Sequence, residues 1–182
     1  TSDKFFSEEL SKAGKKSINL PLGEVKITRS VQTLDIIIKT CTSINLVSQS
    51  KKRIFEEKKS EYTFRSVNSI IKSINFAKKI MPNILFKIFV IDHNSSAGDL
   101  KIVDKKLDHS KIPYKIINLN IAEFENKIQK INQKNEKIEK NMLATMSSIY
   151  KSFLLANESC NDLVYFVEDD YIHQNEAISE ML

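Results

Sequence analysis

Apolar positions along the chain fall into four short runs separated by amphipathic stretches. Leu34-Asp35-Ile36-Ile37-Ile38-Lys39-Thr40 is a β-branched run with the length and composition of a strand buried on both faces. From Phe64, the positions Val67, Ile70, Ile71, Ile74, Ala77 and Met81 recur at three- and four-residue steps, which predicts an amphipathic helix stopped by Pro82. Ile84–Ile91 reads as a second strand that runs directly into Asp92-His93-Asn94-Ser95-Ser96, a cluster with turn chemistry, and Gly98 follows. A short helix to Leu107 is expected next. Pro113–Leu119 predicts a third strand, nearer a sheet edge because its flanks are polar. Ile121, Phe124, Ile128, Ile131, Ile138 and Met142 share one seam, which predicts a long helix over 121–142 with one polar break at Asn135. Met146, Ile149, Tyr150, Phe153 and Leu154 predict a second helix, ended by Asn157–Asn161. Leu163–Val167 is the fourth strand, and it empties into Glu168-Asp169-Asp170. Residues 1–32 read as an N-terminal extension, and Cys41–Tyr62 as a long solvated loop or a short exposed helix; a loop of that length beside a buried strand is often functional.

This alternation predicts an α/β sandwich with a largely parallel sheet and right-handed crossovers. Ligands in such sheets bind outside the carboxyl ends of the strands. Three polar clusters fall at that edge: Thr40-Cys41-Thr42, Asp92-His93-Asn94 and Glu168-Asp169-Asp170.

Composition narrows the chemistry. With 182 residues, 41% of them apolar, the chain is long enough for one domain with its own core. The net charge of +5 is spread among acids, and the three arginines, Arg29, Arg53 and Arg65, form no stripe, which argues against nucleic acid as a partner. The mild basicity suits a phosphorylated ligand or an anionic membrane surface. Gly14, Gly23 and Gly98 have the wrong spacing for a dinucleotide fingerprint or a phosphate loop, and His93, His109 and His173 form no H-E-x-x-H pair. No G-x-S-x-G elbow is present. Cys41 and Cys160 have neither metal-ligand spacing nor a disulfide framework around them. With no apolar run of about 18 residues, the expected setting is cytoplasmic, with peripheral association at the inner membrane face left open. A start at Thr1 and an end at Leu182 inside a helical pattern suggest a piece of a longer protein.

Three consecutive carboxylates at a strand end repel one another, and a hard divalent cation, Mg²⁺ or Mn²⁺, is one agent that offsets this, using one or two carboxylates together with waters and substrate phosphates. The alternative is that the acids cap a helix starting near Asn175 or are simply solvated.

An early strand ending in a polar turn, a second ending in Asp92 and small polar residues, and a later one reading Leu163-Val164-Tyr165-Phe166-Val167-Glu168-Asp169-Asp170 together resemble family 2-like glycosyltransferases of the GT-A fold. Glu168-Asp169-Asp170 is similar to that family's D-x-D signature. The resemblance covers residues 33–182 as the nucleotide-sugar-binding half and implies a GT-A-like, Rossmann-like, mostly parallel sheet sandwiched by helices. It implies that Thr40 and Cys41 cradle the nucleotide, that Asp92 with Asn94 beside it meets base or ribose, and that Glu168 and Asp169 serve the ribose or diphosphate. It implies Asp170, with Glu168, as ligands of Mn²⁺ or Mg²⁺. The implied partners are a nucleotide-diphosphate sugar donor and a carbohydrate or glycolipid acceptor, and the general base would lie beyond Leu182. The family's Asp-Gly-Ser-Thr is replaced here by Asp92-His93-Asn94-Ser95-Ser96, and its Arg-Asn pair by Met146-Ser147-Ser148-Ile149-Tyr150-Lys151, where Lys151 is the available positive charge. Two alternatives stand beside the transferase. One is a non-catalytic GT-A-like module whose long helix docks a partner. The other is a nucleotidyltransferase, which would want a basic triphosphate loop that Thr40-Cys41-Thr42-Ser43 does not supply. His93 is read as a turn residue with a ligand contact as the alternative, His173 as a solvent-facing or helix-start residue with metal ligation as the alternative, Arg65 as surface with a diphosphate contact as the alternative, and Cys41 as a small buried hydrophobe apart from its implied role.

Overall fold

The computed structural model describes residues 30–43, 58–129 and 136–182. Among these, four strands form one all-parallel sheet: β1 (Thr33–Thr40), β2 (Leu85–Asp92), β3 (Tyr114–Asn118) and β4 (Leu163–Glu168), in the order β3-β2-β1-β4. Ile36 stands between Ile88 and Tyr165, Thr40 is level with Asp92, and Lys39 is level with Glu168. All the strands therefore finish at one edge, and the three polar clusters meet there. The parallel α/β architecture anticipated from the element order is the one observed, with β3 at an edge. Residues 1–29 of the expected extension and 44–57 of the expected loop lie outside the described residues. Val31–Leu182 forms one compact unit.

Alternation along each strand divides the core into two. Leu34, Ile36 and Ile38 of β1, Phe86, Ile88 and Val90 of β2 and Val167 of β4 face helices α1 (Lys59–Ile80), α2 (Ala97–Ser110) and the short α4 (Ala177–Met181). Ile37, Phe89 and Ile91 face the other side, where they pack with Leu119, Phe124 and Leu155 of helix α3 (Glu136–Ser159). Full burial of each such side chain contributes about 1.5–3 kcal/mol, and this two-sided burial explains the near-continuous apolar runs of β1 and β2.

Two helix boundaries differ from the pattern-based reading. α1 begins at Lys59 rather than Phe64, because Thr63, Ser66, Ser69 and Ser73 are buried with the apolar stripe and carry its periodicity in hydroxyl side chains. It ends at Ile80, and Met81, the residue before Pro82, leaves the helical region at φ −126° and ψ 67°. The seam over 121–142 is not one helix. Ile121–Phe124 forms a single 3-10 turn that docks Phe124 in the second core, and Lys127 and Ile128 donate back to the Phe124 carbonyl. The described part of α3 is Glu136–Ser159, and Ile131 and Asn135 of the expected seam lie outside the described residues. α3 then continues through the small residues expected to interrupt it. Ser148 donates to the Thr145 carbonyl and Ser152 to the Ser148 carbonyl, each satisfying its hydroxyl within the helix. Among the described residues no helix is long and apolar enough to cross a membrane.

Candidate functional site

The loops after β1 and β2 are tied to each other before any ligand is considered. Asp92, 2% exposed, accepts from the Thr40 hydroxyl at 2.7 Å through one carboxylate oxygen and from the Ser95 backbone N–H at 3.2 Å through the other. Thr42 donates its backbone N–H to Ser95 Oγ, and Ser96 returns a backbone N–H to the Thr42 hydroxyl. Asn94 takes the left-handed conformation, φ 62°, that closes the turn and that asparagine tolerates. Ser96 then caps α2 by accepting from the Asp99 N–H. Asp92 and Asn94 therefore build the turn, and neither lines the cleft next to it. His93 does reach the cleft, its backbone N–H donating to the Thr40 carbonyl, and burial lowers its pKa against the opposing pull of Asp92.

The cleft itself, about 220 Å³, opens between the ends of β1 and β4. This is where the strand order reverses: the chain leaves β1 toward β2 and β3 on one side and places β4 on the other, the switch point at which open α/β sheets bind ligands. Lys39, Thr40 and Cys41 line it from β1, and Glu168, Asp169 and Asp170 from β4. Ala144, Thr145 and Ser148 of α3, all small, line a third side and leave the space open.

The three acids are held differently. Glu168 pairs with Lys39 across the strands at 3.1 Å. Asp169, 7% exposed, is fully engaged: one oxygen takes the Lys59 ammonium at 2.5 Å, and the other takes the Thr63 hydroxyl at 2.7 Å and the Cys41 backbone N–H at 3.2 Å. Asp170 is 49% exposed, and among the described residues it pairs with the same Lys59, at 3.9 Å. Among the described residues, two lysines thus compensate two of the three carboxylates closely, and Asp170 is the surplus negative charge. Among the described residues no three His, Cys, Asp or Glu side chains come together as an all-protein metal set. Of the three acids, Asp170 is the one whose carboxylate is left open, and a hard divalent cation there would need water and phosphate oxygens to complete its shell.

The acids do not cap a helix. α4 begins at Ala177, with Glu176 at its cap and no side-chain hydrogen bond there. His173 stands neither in solvent nor at a helix start; it is half-buried, its Nε2 2.9 Å from the Tyr165 hydroxyl and its backbone N–H on Ser69 Oγ. Lys151 is half-buried on α3 and does not line the cleft, and Arg65 is exposed on α1 away from it. Cys41 is only half-buried and contributes both its backbone and its position at the rim. Sequence reasoning missed Lys59, Thr63 and Lys39. Thr63 was legible only as a polar position in phase with the α1 stripe, and Lys39 as the charged end of β1. Lys59 meets Asp169 across 110 residues with no local signal. Comparison with family models, curated proteins and solved structures gives no significant match.

Proposed function

We propose that this chain is the donor-binding part of a glycosyltransferase, taking a nucleotide-diphosphate sugar in the cleft between β1 and β4 with a divalent cation at Asp170 and passing the sugar to a carbohydrate or glycolipid acceptor. The observation that carries this reading is the convergence of acids and lysines around an open cleft at the switch point of an all-parallel sheet. Lys39 and Lys59 supply positive charge toward a diphosphate, and the Ser148 and Thr145 side of α3 offers short side chains that leave room for a sugar or ribose. A divalent cation, when bound, stabilises the negative charge that develops on the departing diphosphate. Asp170 and Glu168 are the residues that would hold it. Asp92 acts one step back, holding the β1 and β2 loops in register through Thr40 and Ser95.

Thermal unfolding of the chain with UDP, GDP, CDP and dTDP, each with and without Mn²⁺, tests the reading. One of the four is expected to raise Tm by several degrees in the presence of Mn²⁺, since a ligand at 100 times its Kd adds about 2.7 kcal/mol. The Asp170→Ala variant is expected to lose that shift while remaining folded. If no nucleotide moves the transition of the well-folded protein under either condition, the donor-site reading is wrong.

A further inference from the structure

Lys59 is the least expected component of the cleft. It is the first residue of α1, its side chain is only 13% exposed, and its ammonium lies 2.5 Å from Asp169 and 3.9 Å from Asp170. An amine in that position serves two carboxylates that would otherwise repel each other at the end of one strand. Its hold on Asp169 is reinforced by Thr63, one turn further along the same helix, so the start of α1 and the acid run are joined by an ion pair and a hydroxyl. A divalent cation at Asp170 would sit within a few ångströms of this ammonium. Two cations at such a distance oppose each other strongly in a partly desolvated cleft.

We propose that Lys59 is a built-in counter-ion that neutralises the Asp169–Asp170 pair in the unliganded chain and competes with the divalent cation for it. The competition follows from the placement of one positive charge between the two acids, and it makes the acid run stable without metal at the expense of metal affinity. Metal entry then requires the ammonium to withdraw from Asp170, while the Thr63 hydroxyl and the Cys41 N–H keep Asp169 in place. The site in this form takes metal weakly by itself and gains affinity when a diphosphate brings negative charge to receive the displaced ammonium. The inference rests on the reading of Asp170 as the metal-holding residue.

Mn²⁺ titration of the wild-type chain, Lys59→Met and Lys59→Arg, followed by calorimetry in the absence of nucleotide, tests it, with thermal unfolding of the same three proteins alongside. Lys59→Met is expected to bind Mn²⁺ about tenfold or more tightly than wild type, because a like charge beside the cation is gone. The same variant without metal is expected to melt below wild type, and added Mn²⁺ is expected to restore its Tm. Lys59→Arg, which keeps the charge, is expected to stay close to wild type in both readouts. Equal or weaker Mn²⁺ binding by Lys59→Met overturns the proposal. If Lys59→Met does not fold, Lys59→Gln takes its place, and a wild-type chain that binds Mn²⁺ no more weakly than Lys59→Gln overturns it equally. A failure here with intact nucleotide stabilisation in Mn²⁺ leaves the donor-site reading standing. Absence of nucleotide stabilisation under every condition removes that reading, and this inference with it.

Discussion

His173 shows how a side chain outside the cleft sets the conditions under which the cleft exists. Its ring packs edge-on against Tyr165 and shares a 2.9 Å hydrogen bond with that hydroxyl, while Nδ1 is buried without a partner. Taking up a second proton would place a charge in a half-buried position and leave the Nδ1 side of the imidazolium without a partner. Burial accordingly lowers its pKa below the ordinary 6.5. The sign of the pH dependence follows: below about pH 6.5 the unfolded chain binds the proton before the folded one does, so folding stability rises with pH through that window. Its contribution is complete above 6.5 and is lost as pH falls from 6.5 toward the folded-state value. His93 shifts in the same direction and adds to the trend. Denaturant unfolding at pH 7.5, 6.5 and 5.5 is expected to show wild-type stability falling over this range, and His173→Gln is expected to show a shallower fall. Identical slopes for the two proteins would remove His173 from the account.

At the scale of elements, α1 does two jobs with one face. Its apolar positions pack on the sheet, and its hydroxyls hold the segment that follows β4. Thr63 donates to Asp169, Ser69 accepts from the His173 N–H, and Ser73 accepts from the Ile178 N–H while donating to the Asn175 carbonyl. The backbone of that segment is therefore fixed by hydrogen bonds to a helix, where the sheet could not reach it. Each neutral bond of this kind is worth about 0.5–1.5 kcal/mol, and leaving a buried N–H unpaired costs about 1–3 kcal/mol. The double variant Ser69→Ala with Ser73→Ala is expected to speed amide exchange at His173 and Ile178 by tenfold or more, with β1 and β2 keeping their relative protection. A uniform rise across the strands would mean instead that the segment opens only with the whole domain. The same column explains what could be read in advance. β1, β2 and β4 were legible because each is a short apolar run that ends in polar residues. The start of α1 before Phe64 was not, since its one buried position is Thr63 and an apolar count passes over it. The 3-10 turn at Ile121–Phe124 was equally hidden, since Ile121, Phe124 and Ile128 stand in phase with a helical seam and periodicity alone does not separate a single turn from a helix.

For the molecule as a whole, the parallel sheet separates the groups that keep the chain folded from those that face the cleft. The two cores lie above and below the middle of the strands, whereas Lys39, Lys59, Asp169 and Asp170 gather beyond their carboxyl ends, brought there by strand register. This placement was legible to the level of the edge, because strand order in sequence and the rule of parallel sheets fix where strand ends point. Which side chains turn toward each other at that edge was not, since Asp92 is drawn into the turn and Lys59 arrives from a helix 110 residues away from its partner. Separation of this kind implies that the cleft can be closed without disturbing the fold. Thr145 lines the cleft from α3 and is itself exposed, and its backbone carbonyl accepts from the Ser148 hydroxyl. Tryptophan has nearly the same helix propensity as threonine, so Thr145→Trp adds an indole to a cleft of about 220 Å³ without a backbone penalty. The variant is expected to unfold within about 0.5 kcal/mol of wild type, as surface substitutions generally do, and to lose nucleotide-dependent stabilisation in Mn²⁺. Ile38→Ala, by contrast, empties a site that is 1% exposed and is expected to cost about 2–5 kcal/mol. Retention of nucleotide binding by Thr145→Trp would show that the ligand lies elsewhere along the edge, on the Asp92 side of β1.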